Sequence, residues 1–293
     1  MRWPDGFIAV DWGTTNRRAY RLDSSGSCSA EFEDGRGVLS VAAGAFPQAV
    51  AEIRDRLGDL PLLMGGMIGS NRGWAEAPYV PCPAGIDELA AKLAWVGERE
   101  AIIPGVSYLG HGRADVMRGE EIQLLGAAAK GDVDADAYVC HPGTHNKWCI
   151  LRGGRIQSFR TVMTGELFSL LKDHSILADL LGGQVDVGEA FRNGGRQGLS
   201  DGELSADLFA IRAAVLLGVA KREDAASFAS GLLIGSDVRI GLAIPAGAQI
   251  HVMGRPELTR LYAAAIELSG RTPIELDGEQ AFLAGIAEIA KRI

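Results

Sequence analysis

Cysteine is scarce and poorly spaced for a framework. Cys28, Cys82, Cys140 and Cys149 contain no Cys-x-x-Cys pair, which argues against a disulfide scaffold or a four-cysteine zinc site and leaves buried reduced thiols. Long apolar runs are also missing. Residues 7–10 are too few for a signal-peptide core, and residues 213–220, between Arg212 and Lys221, fall far short of the ~20 residues of a membrane span. Basic charge is in deficit, with 29 Lys and Arg against 37 Asp and Glu for a net charge of −8. Neither nucleic acid nor an anionic membrane is therefore the expected main partner. The expectation is a cytoplasmic protein that handles small molecules.

A hydrophobic content of 47% against 23% charged residues supplies a sizeable core. At about 150 residues per domain, a chain of 293 residues is expected to form two lobes. Glycine is over-represented, 39 of 293, against a usual ~7%. No Gly-X-Y period accompanies it, so collagen is excluded. The glycines must serve turns, close helix crossings and backbone approach to ligands.

The chain reads as two cycles of strands and helices, which makes it α/β. Residues 7–11, 18–22 and 27–33 read as strands, 47–57 as a helix with Pro47 in its first turn, and 61–67 as a buried strand. An amphipathic helix is expected over 86–96, a broken strand over 101–109 and a helix over 119–129. The pattern then restarts with strands at 137–140, 147–151 and 155–159, a helical block from 165 to about 243, a strand at 250–253, a helix at 256–268, a strand at 273–276 and a last helix at 279–293. A shift of 130 residues places Gly13 on Gly143, Thr14 on Thr144, Asn16 on Asn146 and Arg17 on Lys147. Each segment follows an apolar strand and precedes another, so a duplication explains the coincidence better than chance.

A tight strand–turn–strand with glycine at the bend lets successive N–H groups form a concave anion site. Thr hydroxyls and an Asn amide add donors, and two such loops together point to a polyphosphate. Taken singly, each is compatible with an ordinary hairpin. A zinc site on His141 and His145 is disfavoured, because Pro142 and Gly143 between them oppose the helix that a His-x3-His pair needs.

Asp11-x-Gly13-Thr14-Thr15, the Gly143-Thr144 loop and the Met253-Gly254 turn resemble the nucleotide motifs of the sugar kinase, actin and heat-shock ATPase superfamily. More narrowly, Asp11-Trp-Gly-Thr-Thr-Asn16, Gly65-Gly-Met-Ile-Gly-Ser-Asn71, Ala77-Pro-Tyr-Val-Pro-Cys-Pro83, Val116-Met-Arg-Gly-Glu-Glu121, His141-Pro-Gly-Thr-His-Asn-Lys-Trp148 and Thr161-Val-Met-Thr-Gly-Glu-Leu-Phe168 resemble the 2-dehydro-3-deoxygalactonokinase family. His141-Pro142 departs from the wider superfamily, whose second phosphate loop often begins with an acid or glycine. The resemblance implies two ribonuclease H-like lobes, 1–134 and 135–293, with a nucleotide and sugar cleft between them and the last helix, 279–293, packing back on the first lobe. It further implies helices crossing closely between the lobes at Gly126 and Gly285.

The implied reaction is ATP-dependent phosphorylation of the 6-hydroxyl of 2-dehydro-3-deoxy-D-galactonate. ATP would be held by Gly13, Thr14, Thr15 and Asn16, by Gly143, Thr144, His145, Asn146 and Lys147, and by Gly254 near adenosine. Magnesium is assigned to Asp11. Asp115, 28 residues before Gly143, matches the superfamily layout of a catalytic Asp at the start of a helix, with Glu120 and Glu121 as rivals. Ser70, Asn71, Arg72, Trp74 and Tyr79 are expected to wall the sugar site, joined by Thr164 and Glu166, with Arg72 or Arg18 matching the substrate carboxylate. A kinase for another sugar or ketodeoxy acid, or a non-sugar regulatory ATPase of the same fold, is the alternative. The oligomeric state is open, and a homodimer is compatible with the sequence.

Overall fold

A computed structural model of the chain describes residues 2–200, 202–243 and 249–293. β1 (Phe7–Trp12), β2 (Arg17–Leu22) and β3 (Cys28–Asp34) form an antiparallel meander. α1 (Phe46–Leu57) carries Ala49, Ile53 and Leu57 on its buried stripe and returns the chain to β4 (Leu62–Gly66), parallel to β1. β5 (Tyr79–Pro81), α2 (Ile86–Ala90), β6 (Ala94–Trp95) and β7 (Glu100–Ile102) follow. The helix expected over 86–96 thus stops at Ala90. Ala94 and Trp95 pair instead with Ile102 and Ala101, and the Trp95 ring packs edge-on to Trp3, so strand pairing and aromatic contact override the helical pattern. β8 (Gly105–Gly110) and β9 (Arg113–Met117) join β5 in a three-stranded sheet, and α3 (Glu120–Lys130) follows.

The second cycle comprises β10 (Ala137–His141), β11 (Asn146–Arg152) and β12 (Arg155–Val162). The helices α4 (Thr164–His174), α5 (Ala178–Leu181), α6 (Glu189–Leu199), α7 (Leu204–Leu216) and α8 (Ala225–Leu242) come next. β13 (Gln249–Gly254), α9 (Pro256–Leu268), β14 (Thr272–Asp277) and α10 (Gly278–Ala290) complete the chain. The larger sheet runs β3-β2-β1-β4-β7-β6 and the second β12-β11-β10-β13-β14. With edge strand β6 left out of the count, the larger sheet has the order 3-2-1-4-5, as the second has, so the repeat at a 130-residue offset is a repeat of topology. The larger sheet adds only β6 at its edge.

Contacts divide the chain into one unit of Met1–Asp136, Leu151–Ser158 and Gly278–Ile293, and another of Ala137–Ile150 and Phe159–Asp277. This differs from a single cut after residue 134. The tip of the β11–β12 hairpin groups with the first unit because Ile156 exchanges backbone hydrogen bonds with Ala84.

In the first unit, Ile8, Val10, Leu62 and Met64 on the sheet bury against Ala49, Val50 and Ile53 of α1. Across the same unit α3 meets α10. A Cβ on Gly126 would stand 1.9 Å from the Ala281 carbonyl oxygen, and one on Gly285 2.0 Å from that of Ile122. The two helix-interior glycines therefore serve a backbone-to-backbone crossing inside one unit, where each costs roughly 1 kcal/mol of helix propensity. In the second unit, α6 and α8 cross equally closely through Gly194, Gly198, Gly231 and Gly235.

Candidate active site

In the first unit, the carboxyl ends of the parallel strands β1 and β4 lie side by side, with Asp11 in register with Gly65 and Trp12 with Gly66. Such strand ends are where open α/β sheets present ligand-binding groups. The Gly13–Asn16 turn is closed by the Gly13 N–H donating to the Asn16 carbonyl at 2.9 Å, and Thr14 and Thr15 are exposed at its tip. Asn16 donates its side-chain amide to Glu33 at 3.3 Å. Arg17 is completely buried, paired with Asp34 at 2.8 Å under the Trp12 ring. Arg18 faces Asp11 across the ladder and lies 3.5 Å from Glu33 and 3.9 Å from Glu279. Burial alone would lower the Arg18 pKa, but Asp11, Tyr20 and Glu33 outweigh it and raise it.

The head of α3 arrives at the same strand ends. Gly119 has φ +108, which favours glycine, and a Cβ there would come within 3.2 Å of the Gly66 Cα. A Cβ on Gly66 would in turn meet the Asp11 carboxylate at 3.5 Å. Glu121 is fully buried and accepts the Gly119 N–H at 2.7 and 2.8 Å. Burial pushes the Glu121 pKa up to about 8 and the charge of Glu120 adds to this, against the Gly119 hydrogen bond and Arg118. Glu120 is only partly buried and accepts the Arg118 N–H at 3.1 Å.

Asp115 is placed differently from the expected layout. It sits inside β9, opposite Tyr108 and 3.7 Å from Arg113, rather than at the start of a helix. The strand arises because Val106–Gly110 and Arg113–Met117 pair around a turn at His111-Gly112, a constraint invisible in helix-head spacing. The acids at the head of α3 are Glu120 and Glu121.

The proposed sugar segment follows β4 as a tight 3-10 turn, Met67–Gly69, and then a loop. Ser70 donates to the Met67 carbonyl and accepts the Arg72 N–H, which shapes the loop. Asn71 and Arg72 are exposed. Trp74 stacks on Phe46 at 6.3 Å and so anchors the loop to the core. Tyr79 lies at the start of β5, with the Arg118 guanidinium 4.4 Å from its ring centre.

In the second unit, Gly143, Thr144 and His145 form the turn between β10 and β11, with Thr144 and His145 exposed. The head of α4 braces it. The Glu166 N–H donates to the Thr144 carbonyl at 3.0 Å, and a Cβ on Gly165 would strike the Gly143 oxygen at 2.6 Å. Glu166 also lies 2.7 Å from His145 Nε2. Gly254, at the end of β13, comes beside the same turn, its would-be Cβ 3.2 Å from the Pro142 oxygen.

Two residues expected to touch ligand face inward. The Asn146 side chain is buried and donates to both Asp237 oxygens at 3.0 Å, while Thr164 donates to the same carboxylate at 2.5 Å. Trp148 and Tyr262 complete this hub. Burial raises the Asp237 pKa, with these four donors pulling against it. Asp237 carried no motif in the sequence, and only its being the one acid in α8 marked it. Lys147 is buried too, with Nζ donating to the His145 carbonyl at 3.2 Å, so it is not a solvated hairpin charge. Among the described residues, no three His, Cys, Asp or Glu side chains cluster as a metal site.

Two sheets that share the order 3-2-1-4-5, each with a Gly-Thr turn after its first strand, give the doubled α/β arrangement of the actin-like ATPase fold. The profile of the 2-keto-3-deoxy-galactonokinase family matches residues 11–289, and the chain belongs to that family. It is 37% identical to the 2-dehydro-3-deoxygalactonokinase of Escherichia coli strain K12 over 98% of both chains. A crystal structure of "a putative 2-dehydro-3-deoxygalactonokinase protein" from Sinorhizobium meliloti superposes with a TM-score of 0.91 at 32% identity over 97% of this chain and 98% of that one. At the level of fold alone, the ADPNP-bound activator of the Clostridium difficile 2-hydroxyisocaproyl-CoA dehydratase superposes with a TM-score of 0.52 at 11% identity over 98% of this chain and 95% of that one. No helix among the described residues is long and apolar enough to cross a membrane.

Proposed function

We propose that the chain transfers the γ-phosphoryl group of ATP to the 6-hydroxyl of 2-dehydro-3-deoxy-D-galactonate. The observation that carries this reading is the family match along nearly the whole chain, together with two Gly-Thr turns whose Thr side chains are exposed while the residues behind them are buried. Gly13–Thr15 in the first unit and Gly143–His145 in the second each present donors of the kind that hold phosphate, and Gly254, without a side chain, leaves room for the adenosine. Asn146 and Thr164 act indirectly, by holding the second turn through Asp237.

Phosphoryl transfer needs an in-line hydroxyl and a carboxylate to receive its proton. Glu120 takes that role rather than Asp115, because it stands at the head of α3 beside the ends of β1 and β4 and is not sealed from solvent. The hydroxyl oxygen forms the new bond to phosphorus, its proton passes to Glu120, and ADP departs with the electrons of the broken bond. Magnesium, carried on the phosphates, would be held by Asp11 and would neutralise charge on the transferring group. A single protein carboxylate suits a cation that keeps most of its ligands as water and phosphate.

The reaction belongs in the cytoplasm. As a homodimer the chain would cover Phe209 in the middle of α7 and Leu216, Leu217 and Val219 at and beyond its end, all exposed in the single chain, and light scattering reads that state. The activity is tested by coupled ADP release over a panel of aldonates, ketodeoxyaldonates and neutral hexoses. Selective turnover of the ketodeoxygalactonate is expected. Turnover of a neutral hexose with none of the acids, or ATP hydrolysis indifferent to every sugar, would overturn the reading.

A further inference from the structure

Arg118 lies in the Val116–Glu121 motif but has no part in the mechanism above. Its Nε and Nη1 are buried and have no hydrogen-bond partner among the described residues. Nη2 donates to the Ala77 carbonyl at 2.8 Å. The guanidinium rests on the face of Tyr79, 4.4 Å from the ring centre, and a Cβ on Gly69 would stand 2.8 Å from Nη1. The sugar segment therefore holds the guanidinium on three sides while leaving donors unspent. A buried charged donor without an acceptor is costly, and native structures rarely keep one without a use.

Its position gives the use. Arg118 directly precedes Gly119, which packs on Gly66, and it adjoins Glu120, the proposed proton acceptor. We propose that Arg118 binds the carboxylate of the sugar-acid acceptor and so fixes the far end of the molecule whose hydroxyl reacts near Glu120. The planar guanidinium matches a carboxylate in a way a point charge does not. The two arginines expected from sequence fit less well. Arg72 is exposed, and Arg18 already lies between Glu33 and Glu279. The cover over Arg118 is Tyr79, itself 41% exposed, so a ligand reaches the guanidinium by displacing a surface ring and leaves the core intact.

This inference rests on the kinase reading, and its test separates the two. Wild type, Arg118→Met and Arg118→Lys are assayed with 2-dehydro-3-deoxygalactonate and with its C1 amide, which keeps the chain and loses the charge. Wild type should prefer the acid by about 100-fold, in line with a desolvated charge pair. Arg118→Met should raise KM for the acid by a similar factor, leave the amide and the KM for ATP nearly unchanged, and so abolish the preference. Arg118→Lys should recover part of it. The inference is overturned if wild type does not distinguish acid from amide, or if Arg118→Met loses equally on both or keeps the preference. Thermal melting accompanies each variant, and Arg118→Gln, which retains a donor for Ala77, replaces the Met variant if that one does not fold. A wild type that phosphorylates neither compound overturns the kinase reading instead.

Discussion

The most quantitative expectation concerns Glu121. Its carboxyl group is fully buried and accepts the Gly119 N–H, and its pKa rises from 4.5 to about 8. Between those values the folded chain keeps a proton that the unfolded chain has released. The unfolded state therefore binds fewer protons, and stability falls as pH rises, by at most about 1.4 kcal/mol per pH unit. The contribution is fully present below the unfolded pKa and is lost as pH passes the folded one. Glu121→Gln removes the titration while preserving an oxygen for Gly119. Its unsatisfied amide adds a constant offset that leaves the slope alone. Urea midpoints of both proteins at pH 5, 6, 7 and 8 measure the effect. The stability of wild type minus that of the variant should decline steadily across this range by a few kcal/mol. A difference that stays flat, or that grows in favour of wild type with pH, would refute the assignment of a protonated buried acid.

Glu120→Gln should lower kcat by roughly 10²–10⁴-fold while ADP binding persists, whereas Asp115→Asn should stay within about threefold of wild type, both read by coupled ADP release. Asp237→Ala strands the donors of Asn146, Trp148, Thr164 and Tyr262; a loss of about 3 kcal/mol in chemical denaturation and a raised KM for ATP are expected. Gly126→Ala would force a methyl group to within 1.9 Å of the Ala281 oxygen, so its melting temperature should fall by several degrees despite the better helix propensity of alanine.

Strand and helix order was largely readable because apolar runs and their periods are local properties. The Gly-Thr turns were readable for the same reason, and the strict offset between Gly13 and Gly143 exposed a repeat that the sheet order then expressed in space. The departures in placement are all non-local. Residues 91–96 have a helical pattern, but Ala94 and Trp95 find strand partners in Ala101 and Ile102. Asp115 precedes a helix in sequence, yet pairing with β8 draws it into a strand. Asn146 and Thr164 are polar residues beside a turn, and nothing local reveals that a carboxylate 91 and 73 residues away claims both. Arg118 was hidden for the converse reason, since what marks it is two buried nitrogens without a hydrogen-bond partner among the described residues.

The two Gly-Thr turns also show which parts of a duplicated motif carry which duty. Arg17 and Lys147 stand at equivalent places and are both buried, one held by Asp34 and the other reaching back to the carbonyl of its own turn. Asn16 and Asn146 are equivalent in sequence, but Asn16 meets Glu33 at 3.3 Å near the surface while Asn146 is sealed against Asp237. The Thr residues at the tips remain exposed in both. Exposure is thus shared at the tip, while the residues behind it are held by whatever each unit uses to brace the bend. It follows that substitutions at Thr14 and Thr144 should act on ATP with little effect on folding. Substitutions at Arg17 and Asn146 should act on folding first and on ATP only as a consequence, and paired measurements of the melting temperature and the KM for ATP separate these outcomes.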